Sequence, residues 1–105
     1  MSTGSYQSIV MNFQKARAQA DQLEQLSKRM ETIANDRFGG VMRSVNTNWK
    51  GDNAAAYIKK CEMLRQKLLQ SSGNLSRAAR TIRTIARNTY NAEMRAWRIA
   101  RQKNY

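Results

Sequence analysis

Apolar side chains recur along the first half of the chain at steps of mostly three and four residues. The series is Ile9, Phe13, Ala16, Ala20, Leu23, Leu26, Met30, Ile33, Phe38, Val41 and Val45. This spacing puts them on one face of a helix, which we predict over residues 5–45. The stripe is wider than a coiled-coil seam, so the helix needs more than one packing partner. Gly39-Gly40 is expected to kink it near its end.

A second apolar series with the same spacing follows the centre of the chain. It is Tyr57, Cys61, Leu64, Leu68, Leu75, Ala79, Ile82, Ala86, Thr89, Ala96 and Ile99. The chain has no Pro, and its β-branched residues never alternate with polar ones over the length of a strand, so we predict no strand. The spacing predicts a second helix over residues 53–101, with Ser71-Ser72-Gly73 expected to loosen one turn.

Between the two series lies Asn46-Thr47-Asn48-Trp49-Lys50-Gly51-Asp52, a cluster of turn-forming residues around one large aromatic side chain. We predict that the chain reverses over residues 46–52. Gly51 would permit a backbone conformation or a close approach that a side chain obstructs, and the Trp49 indole would cover the open end of the core.

Two helices joined by a short turn lie antiparallel with their apolar faces together. The predicted fold is therefore all-α, with a single helical-hairpin domain over residues 1–105. Pairing the helices symmetrically about Trp49 places Ser5 opposite Glu93. The same pairing leaves three apolar residues without a partner in their own chain: Trp97, Ile99 and Tyr105.

A hairpin has only one internal interface, and stripes this wide leave apolar surface exposed unless a second hairpin packs on them. We therefore expect a dimeric four-helix bundle, formed with a second copy or with a related helical chain. The residues predicted at the hairpin and dimer interface are Phe13, Leu23, Leu26, Met30, Ile33, Leu64, Leu68, Leu75 and Ile82. We interpret these large side chains as core and not as a cofactor site.

The chain is strongly basic, with 19 Lys and Arg against 7 Asp and Glu and a net charge of +12. Seven arginines of the second helix fall within about 120° of one another on a helical wheel, with only Glu93 opposing them. They are Arg77, Arg80, Arg83, Arg87, Arg95, Arg98 and Arg101. An ordinary solvated face mixes both signs of charge, so we interpret this arginine ridge as a partner-binding surface.

Three kinds of partner fit the arginine ridge. An acidic protein surface ranks first, because arginine forms bidentate bonds with carboxylates. Nucleic acid ranks second, since no recognition-helix motif is visible to read its sequence. Anionic lipid ranks third, on the strength of a basic amphipathic helix with Trp97 and Ile99 on its apolar side.

The composition excludes most familiar enzyme chemistry. With no His and a single Cys, the chain lacks a Cys/His zinc site and the usual Ser-His-Asp and Cys-His nucleophile pairs. No other residues gather into a catalytic constellation, so we expect neither an enzyme nor a cofactor. Cys61 has no partner for an intrachain disulfide. We expect no membrane span and no cleaved signal peptide.

The segment Trp49-Lys50-Gly51, followed by Ala54 and Tyr57, resembles the central motif of the WXG family. These are the small, early-secreted-antigen-like helical hairpins of type VII (ESX) secretion systems. The resemblance implies a type VII substrate, or a chaperone-like export partner of a larger effector such as an LXG-type toxin. It also implies a cytoplasmic protein that is then secreted or held at the cell surface. The resemblance implies that Trp49 and Gly51 form part of a composite export motif with a partner's C-terminal tail, and that the secretion ATPase is a further partner.

The chain departs from this family in two ways. Family export signals often read Tyr-x-x-x-Asp/Glu just after the second helix, whereas here Glu93 follows Tyr90 at three residues and Met94 stands at the fourth. Tyr90 and Glu93 are thus a candidate C-terminal signal with altered spacing, and the signal could instead belong to the partner chain. The strong positive charge is the second departure. The alternative function is a small basic helical protein that binds nucleic acid or an anionic membrane.

Overall fold

The structure is a computed structural model that describes residues 5–102, and nearly all of them are helical. The elements are helix α1 (Tyr6–Thr32), a π-helix (Ile33–Phe38), helix α2 (Gly39–Asn48) and helix α3 (Asp52–Gln102). Three residues, Trp49, Lys50 and Gly51, separate α2 from α3. Residues 5–102 contain no strand, so the all-α prediction is confirmed.

The link between α2 and α3 is shorter than the predicted turn over residues 46–52. Helical backbone continues through the first three of these residues, and the Trp49 N–H donates to the Val45 carbonyl at 2.8 Å. The Thr47 hydroxyl donates to the Arg43 carbonyl at 2.9 Å. The Thr47 hydroxyl therefore bonds back onto the preceding helical turn instead of forming a turn of its own, as Ser and Thr side chains can do within a helix.

Gly51 gives this short link its change of direction. Its φ is 96°, in the left-handed region that residues with a side chain rarely adopt. The Trp49 backbone before it is extended, with φ −112° and ψ 148°. After it, the Ala55 N–H donates to the Gly51 carbonyl at 3.2 Å, and Asp52 places a carboxylate in the favourable first turn of α3. This backbone conformation is the reason that a glycine is needed here.

A π-helix, and not a kink at the glycines, interrupts the regular α-helix of the first half. Gly39 has α-helical φ and ψ of −60° and −42°, and helical backbone continues through Gly40. The irregularity lies one turn earlier, over Ile33–Phe38, where Ala34 is buried. A π turn accommodates an extra residue and changes which side chains lie on the packed face.

The described residues form two compact units. The turn unit is Glu24–Ser76, and the terminal unit combines residues 5–23 with residues 77–102. Each unit contains a segment from before the Trp49-Lys50-Gly51 link and a segment of α3.

Two buried serines join α1 to α3 in the turn unit. The Ser27 hydroxyl donates to the Ser72 carbonyl at 2.8 Å, and the Ser72 hydroxyl donates to the Ser27 carbonyl at 2.9 Å. The two residues are only 7% and 3% exposed. Ser71-Ser72-Gly73 therefore does not loosen α3, which is continuous and lies within one residue of the predicted 53–101 at each end.

Two aromatic pairs join α1 to α3 in the terminal unit. The ring centroids of Tyr6 and Trp97 are 5.4 Å apart, and those of Phe13 and Tyr90 are 4.7 Å apart. The prediction that Trp97 has no partner in its own chain is therefore wrong. Ile99 is exposed, and Tyr105 lies outside the described residues.

The predicted pairing of Ser5 with Glu93 is also wrong, by about one helical turn. Residues 6 and 97, which are in contact, are nearly equidistant in sequence from Gly51. In the terminal unit the contacting residues of α3 thus lie about five positions further along the chain than a pairing about Trp49 predicts. In the turn unit, Ser27 and Ser72 lie within one residue of that pairing.

Burial in both units is confined mainly to small side chains. Buried positions recur at intervals of seven residues before the link and again on α3: Ala20, Ser27 and Ala34, then Ser72, Ala79 and Ala86. Small residues at one position of each heptad allow two helices to approach closely. Among the larger side chains of residues 5–102, Ile9 is the one that is fully buried. The other large apolar residues must lie at the sides of the packed seam.

Alanine substitutions at two glycines should have opposite effects on stability. At Gly40, a Cβ would meet only the flexible Arg43 side chain at 3.9 Å, so Gly40→Ala should raise the free energy of unfolding by about 0.5–1 kcal/mol. Gly51→Ala should lower it by about 1–2 kcal/mol because of the positive φ, although the space around Gly51 is open. Urea denaturation followed by circular dichroism measures both. An unchanged free energy of unfolding in Gly51→Ala would contradict the proposed conformational role of this glycine.

The two serines should be energetically coupled. Ser27→Ala and Ser72→Ala should each lower the free energy of unfolding by about 0.5–1.5 kcal/mol, since each removes a hydrogen bond from a buried contact. The double variant should lose less free energy of unfolding than the sum of the two single losses, and a double-mutant cycle measures the difference. Ser71→Ala is the matched control, because this neighbour is exposed. If Ser72→Ala were as mild as Ser71→Ala, the buried hydrogen bonds would not contribute to stability.

Candidate interaction surfaces

An apolar groove lies between α1 and α3 in the terminal unit. It has a volume of about 240 Å³. Its apolar lining includes Ile9, Phe13, Ala16, Ile82, Ile85 and Ala86. Ile85 is 59% exposed, so a large apolar side chain faces solvent beside the groove. A groove of this kind between helices can receive side chains from another helix.

The candidate C-terminal signal lies on the same groove. Tyr90 and Glu93 both line it and are both half-buried, and the Tyr90 ring packs on Phe13. The pair stands in the interior of α3, which continues to Gln102, and not in a segment after the second helix. Both side chains are therefore next to any helix that enters the groove.

In the turn unit, the Trp49 indole is exposed beside a second aromatic ring. Its centroid is 5.6 Å from that of Tyr57, and the residue is 52% exposed. An open depression next to it is lined by Lys50, Ala54 and Ile58. The expectation that the indole covers the end of the core is therefore not met, because half of Trp49 remains accessible to a partner.

The residues predicted at the hairpin and dimer interface differ in solvent exposure, and none of them is fully buried. Half-buried are Phe13, Leu23, Met30, Ile33, Leu68, Leu75 and Ile82. Leu26 and Leu64 are exposed. The contacts within each unit thus cover these side chains only in part, and large apolar groups remain in contact with water.

Sequence reasoning missed the two buried serines and the exposed isoleucine beside the groove, although each had a signal. Ser27 lies between Leu23 and Met30 at helical spacing, and Ser72 lies between Leu68 and Leu75 in the same way. Ile85 follows Ile82 at three residues. A polar residue inside an apolar helical series indicates a buried hydrogen bond, which a purely hydrophobic pattern overlooks.

The first part of the arginine ridge is engaged within the chain. Arg83 Nη2 donates to Asp21 Oδ1 at 2.7 Å, which joins α3 to α1 in the terminal unit. Arg77 and Arg80 also have interaction partners. These three residues therefore belong in part to the internal structure and not solely to a partner-binding face.

The remaining part, Arg87, Arg95, Arg98 and Arg101, is named here the outer ridge. All four residues are exposed. Arg98 Nε donates to the Met94 carbonyl at 3.3 Å, and the Arg101 guanidinium carbon lies 4.9 Å from the centroid of a Trp97 ring. Within residues 5–102, none of the four forms an ion pair with a carboxylate.

One polar cluster supports the turn unit. Arg65 donates to Glu62 Oε2 through Nη1 and to Asn35 Oδ1 through Nη2, both at 3.0 Å. The Gln66 amide donates to Glu62 at 2.8 Å and, together with the neighbouring guanidinium, holds the pKa of this carboxyl below its ordinary value. Glu62 therefore stays ionised to lower pH and helps to orient Arg65 towards the π-helix.

Residues 5–102 contain no cluster of His, Cys, Asp and Glu that could hold a metal ion. In this part of the chain no helix is long and apolar enough to cross a membrane. The Cys61 thiol is free and buried. Comparison with protein-family models, curated proteins and solved structures found no match. The apolar and basic surfaces described above are therefore the features of this chain that bear on its function.

Proposed function

We propose that the chain is a helical-hairpin interaction module that pairs with another helical chain, as a substrate or export partner in type VII secretion. The observation that carries the proposal is the exposed large apolar side chains beside seams that bury mainly small ones. Ile85, Leu64 and Leu26 are the main examples. No enzyme activity is part of the proposal.

Burial of these side chains is the driving force for pairing. Complete burial of a Leu or Ile side chain is worth about 1.5–3 kcal/mol, and roughly half of that surface is still exposed at each of these positions. A second pair of helices laid on the same faces would complete a four-helix bundle. That pair would come from a second copy, from a related helical chain, or from the helical N-terminal region of a larger toxin.

The secretion part of the proposal is supported by the Trp49-Lys50-Gly51 link. In this chain the tryptophan and the glycine stand at a break between two helices, as the resemblance to WXG proteins implies. The indole is half exposed, so it is accessible to a partner's tail or to the secretion ATPase. The protein would be cytoplasmic before export and secreted or surface-held afterwards.

Pairing through the groove should depend on Ile85. Light scattering on the purified chain, alone and co-expressed with its neighbouring gene products, should give the mass of a pair or of a complex. Ile85→Lys should weaken that association at least about tenfold, since it places a charge in an apolar contact. Asn88→Lys is the control, because it adds the same charge at an exposed polar position. A single-chain mass under all of these conditions would contradict the proposal.

Trp49→Ala should impair export or partner docking more than folding. Half of the residue is already exposed, so its truncation should lower the melting temperature by only a few degrees. Secretion from the native host, measured against the intracellular amount, should fall strongly. Lys50→Ala is the control, at the exposed position between Trp49 and Gly51. It should leave the melting temperature and the secreted amount unchanged. Unaltered secretion and complex mass for Trp49→Ala would remove Trp49 from the functional surface.

A further inference from the structure

The terminal unit carries a large excess of positive charge. Its described residues include nine Lys and Arg but only two acidic residues, Asp21 and Glu93. Asp21 already accepts from Arg83, and Glu93 lines the apolar groove. Among residues 5–23 and 77–102, neither carboxylate forms an ion pair with the outer ridge, Arg87, Arg95, Arg98 and Arg101.

The same unit shows how an arginine of the ridge meets a carboxylate. Asp21 on α1 reaches Arg83 on α3 at 2.7 Å, so a carboxylate on an adjacent helix fits the reach of these side chains. Arg95, Arg98 and Arg101 follow one another at three-residue steps, a rise of about 4.5 Å each. Carboxylates spaced three or four residues apart on a neighbouring helix have nearly the same rise and can match this row of cations.

We infer that the outer ridge is a docking surface for an acidic helix of a partner protein. Carboxylates along one face of that helix would receive bidentate hydrogen bonds from Arg87, Arg95, Arg98 and Arg101. The inference rests on the proposed function, because it gives the chemistry of the partner. It concerns different residues from the groove around Ile85, however, so each contact can be tested separately.

Two other polyanions fit the outer ridge less well. Single-stranded nucleic acid is usually held by exposed aromatic rings as well as by cations, but Trp97 already packs against Tyr6 and under Arg101. For duplex DNA, the sequence shows no recognition-helix motif that would read base edges. A membrane-surface helix needs a broad apolar face. Between residues 87 and 102, Ile99 is the one exposed large apolar side chain, so this part of α3 does not present such a face. Duplex DNA and anionic vesicles are therefore used as comparison ligands.

The test uses a synthetic helical peptide with glutamate at every third or fourth position along one face. A peptide of the same composition, with its glutamates spread around the helix, is the control ligand. Fluorescence anisotropy at about 0.15 M salt gives the dissociation constant for the full chain, because weak unspecific attraction is screened there. Duplex DNA and phosphatidylserine vesicles are measured under the same conditions.

The matched variants are Arg87→Glu/Arg95→Glu and Lys59→Glu/Lys60→Glu. All four positions are exposed, and both variants change the net charge equally. We expect the first variant to weaken peptide binding at least about tenfold and the second by less than about twofold. Circular dichroism should give the same helicity for both.

Several results would overturn the inference. Equal weakening in both variants would mean that only net charge matters, and equal affinity for both peptides would mean that the row of carboxylates is not recognised. Absence of peptide binding at this salt concentration would reject the acidic helix outright. If duplex DNA or the vesicles bound more tightly than the peptide and lost affinity in the arginine variant alone, the outer ridge would be a nucleic-acid or membrane surface. Continued pairing through Ile85 in any of these cases would leave the proposed function standing.

Discussion

Close packing of helices through small side chains is the constraint on which the other features of this protein depend. In both units the seam is built from alanine and serine at intervals of seven residues, as at Ala20, Ser27 and Ala34. A narrow seam lets the backbones approach, but it has little room for large side chains, and among residues 5–102 Ile9 is the one that is fully buried. The larger apolar side chains are therefore displaced to the flanks, where Leu64 and Ile85 remain half exposed. A fold that stabilises itself in this way creates apolar surface that another chain can cover.

Hydrogen bonding makes this packing specific. Hydrophobic contact alone would tolerate a shift of one helix along the other, because apolar surface is non-directional. The hydrogen bonds between Ser27 and Ser72 oppose such a shift, since each hydroxyl donates to the other residue's carbonyl inside the seam. A shift by one turn would break both of these hydrogen bonds. In the terminal unit, Asp21 and Arg83 impose a similar, more exposed restriction.

The sequence predicted what depends on local periodicity and not what depends on tertiary register. The start of α3 agrees within one residue, because its apolar series begins directly after the cluster of turn-forming residues. The contact of Trp97 with Tyr6 was not predictable in this way, since it depends on the register of α3 against α1 in the terminal unit. The arginine ridge could be recognised from spacing, but the pairing of Arg83 with α1 required the packed helices. The secretion role remains a prediction from resemblance at Trp49-Lys50-Gly51.

The burial of Cys61 has a practical consequence for how this protein can be observed. It is the single thiol of the chain, and it lies in the turn unit at only 6% exposure. Alkylating reagents reach such a sulfur mainly when the surrounding helices separate transiently. The rate of modification in the native chain therefore reports the frequency of local opening without any introduced probe. A partner that packs on the turn unit and suppresses this opening would slow the alkylation of Cys61. The rate of alkylation would then report whether the partner is bound.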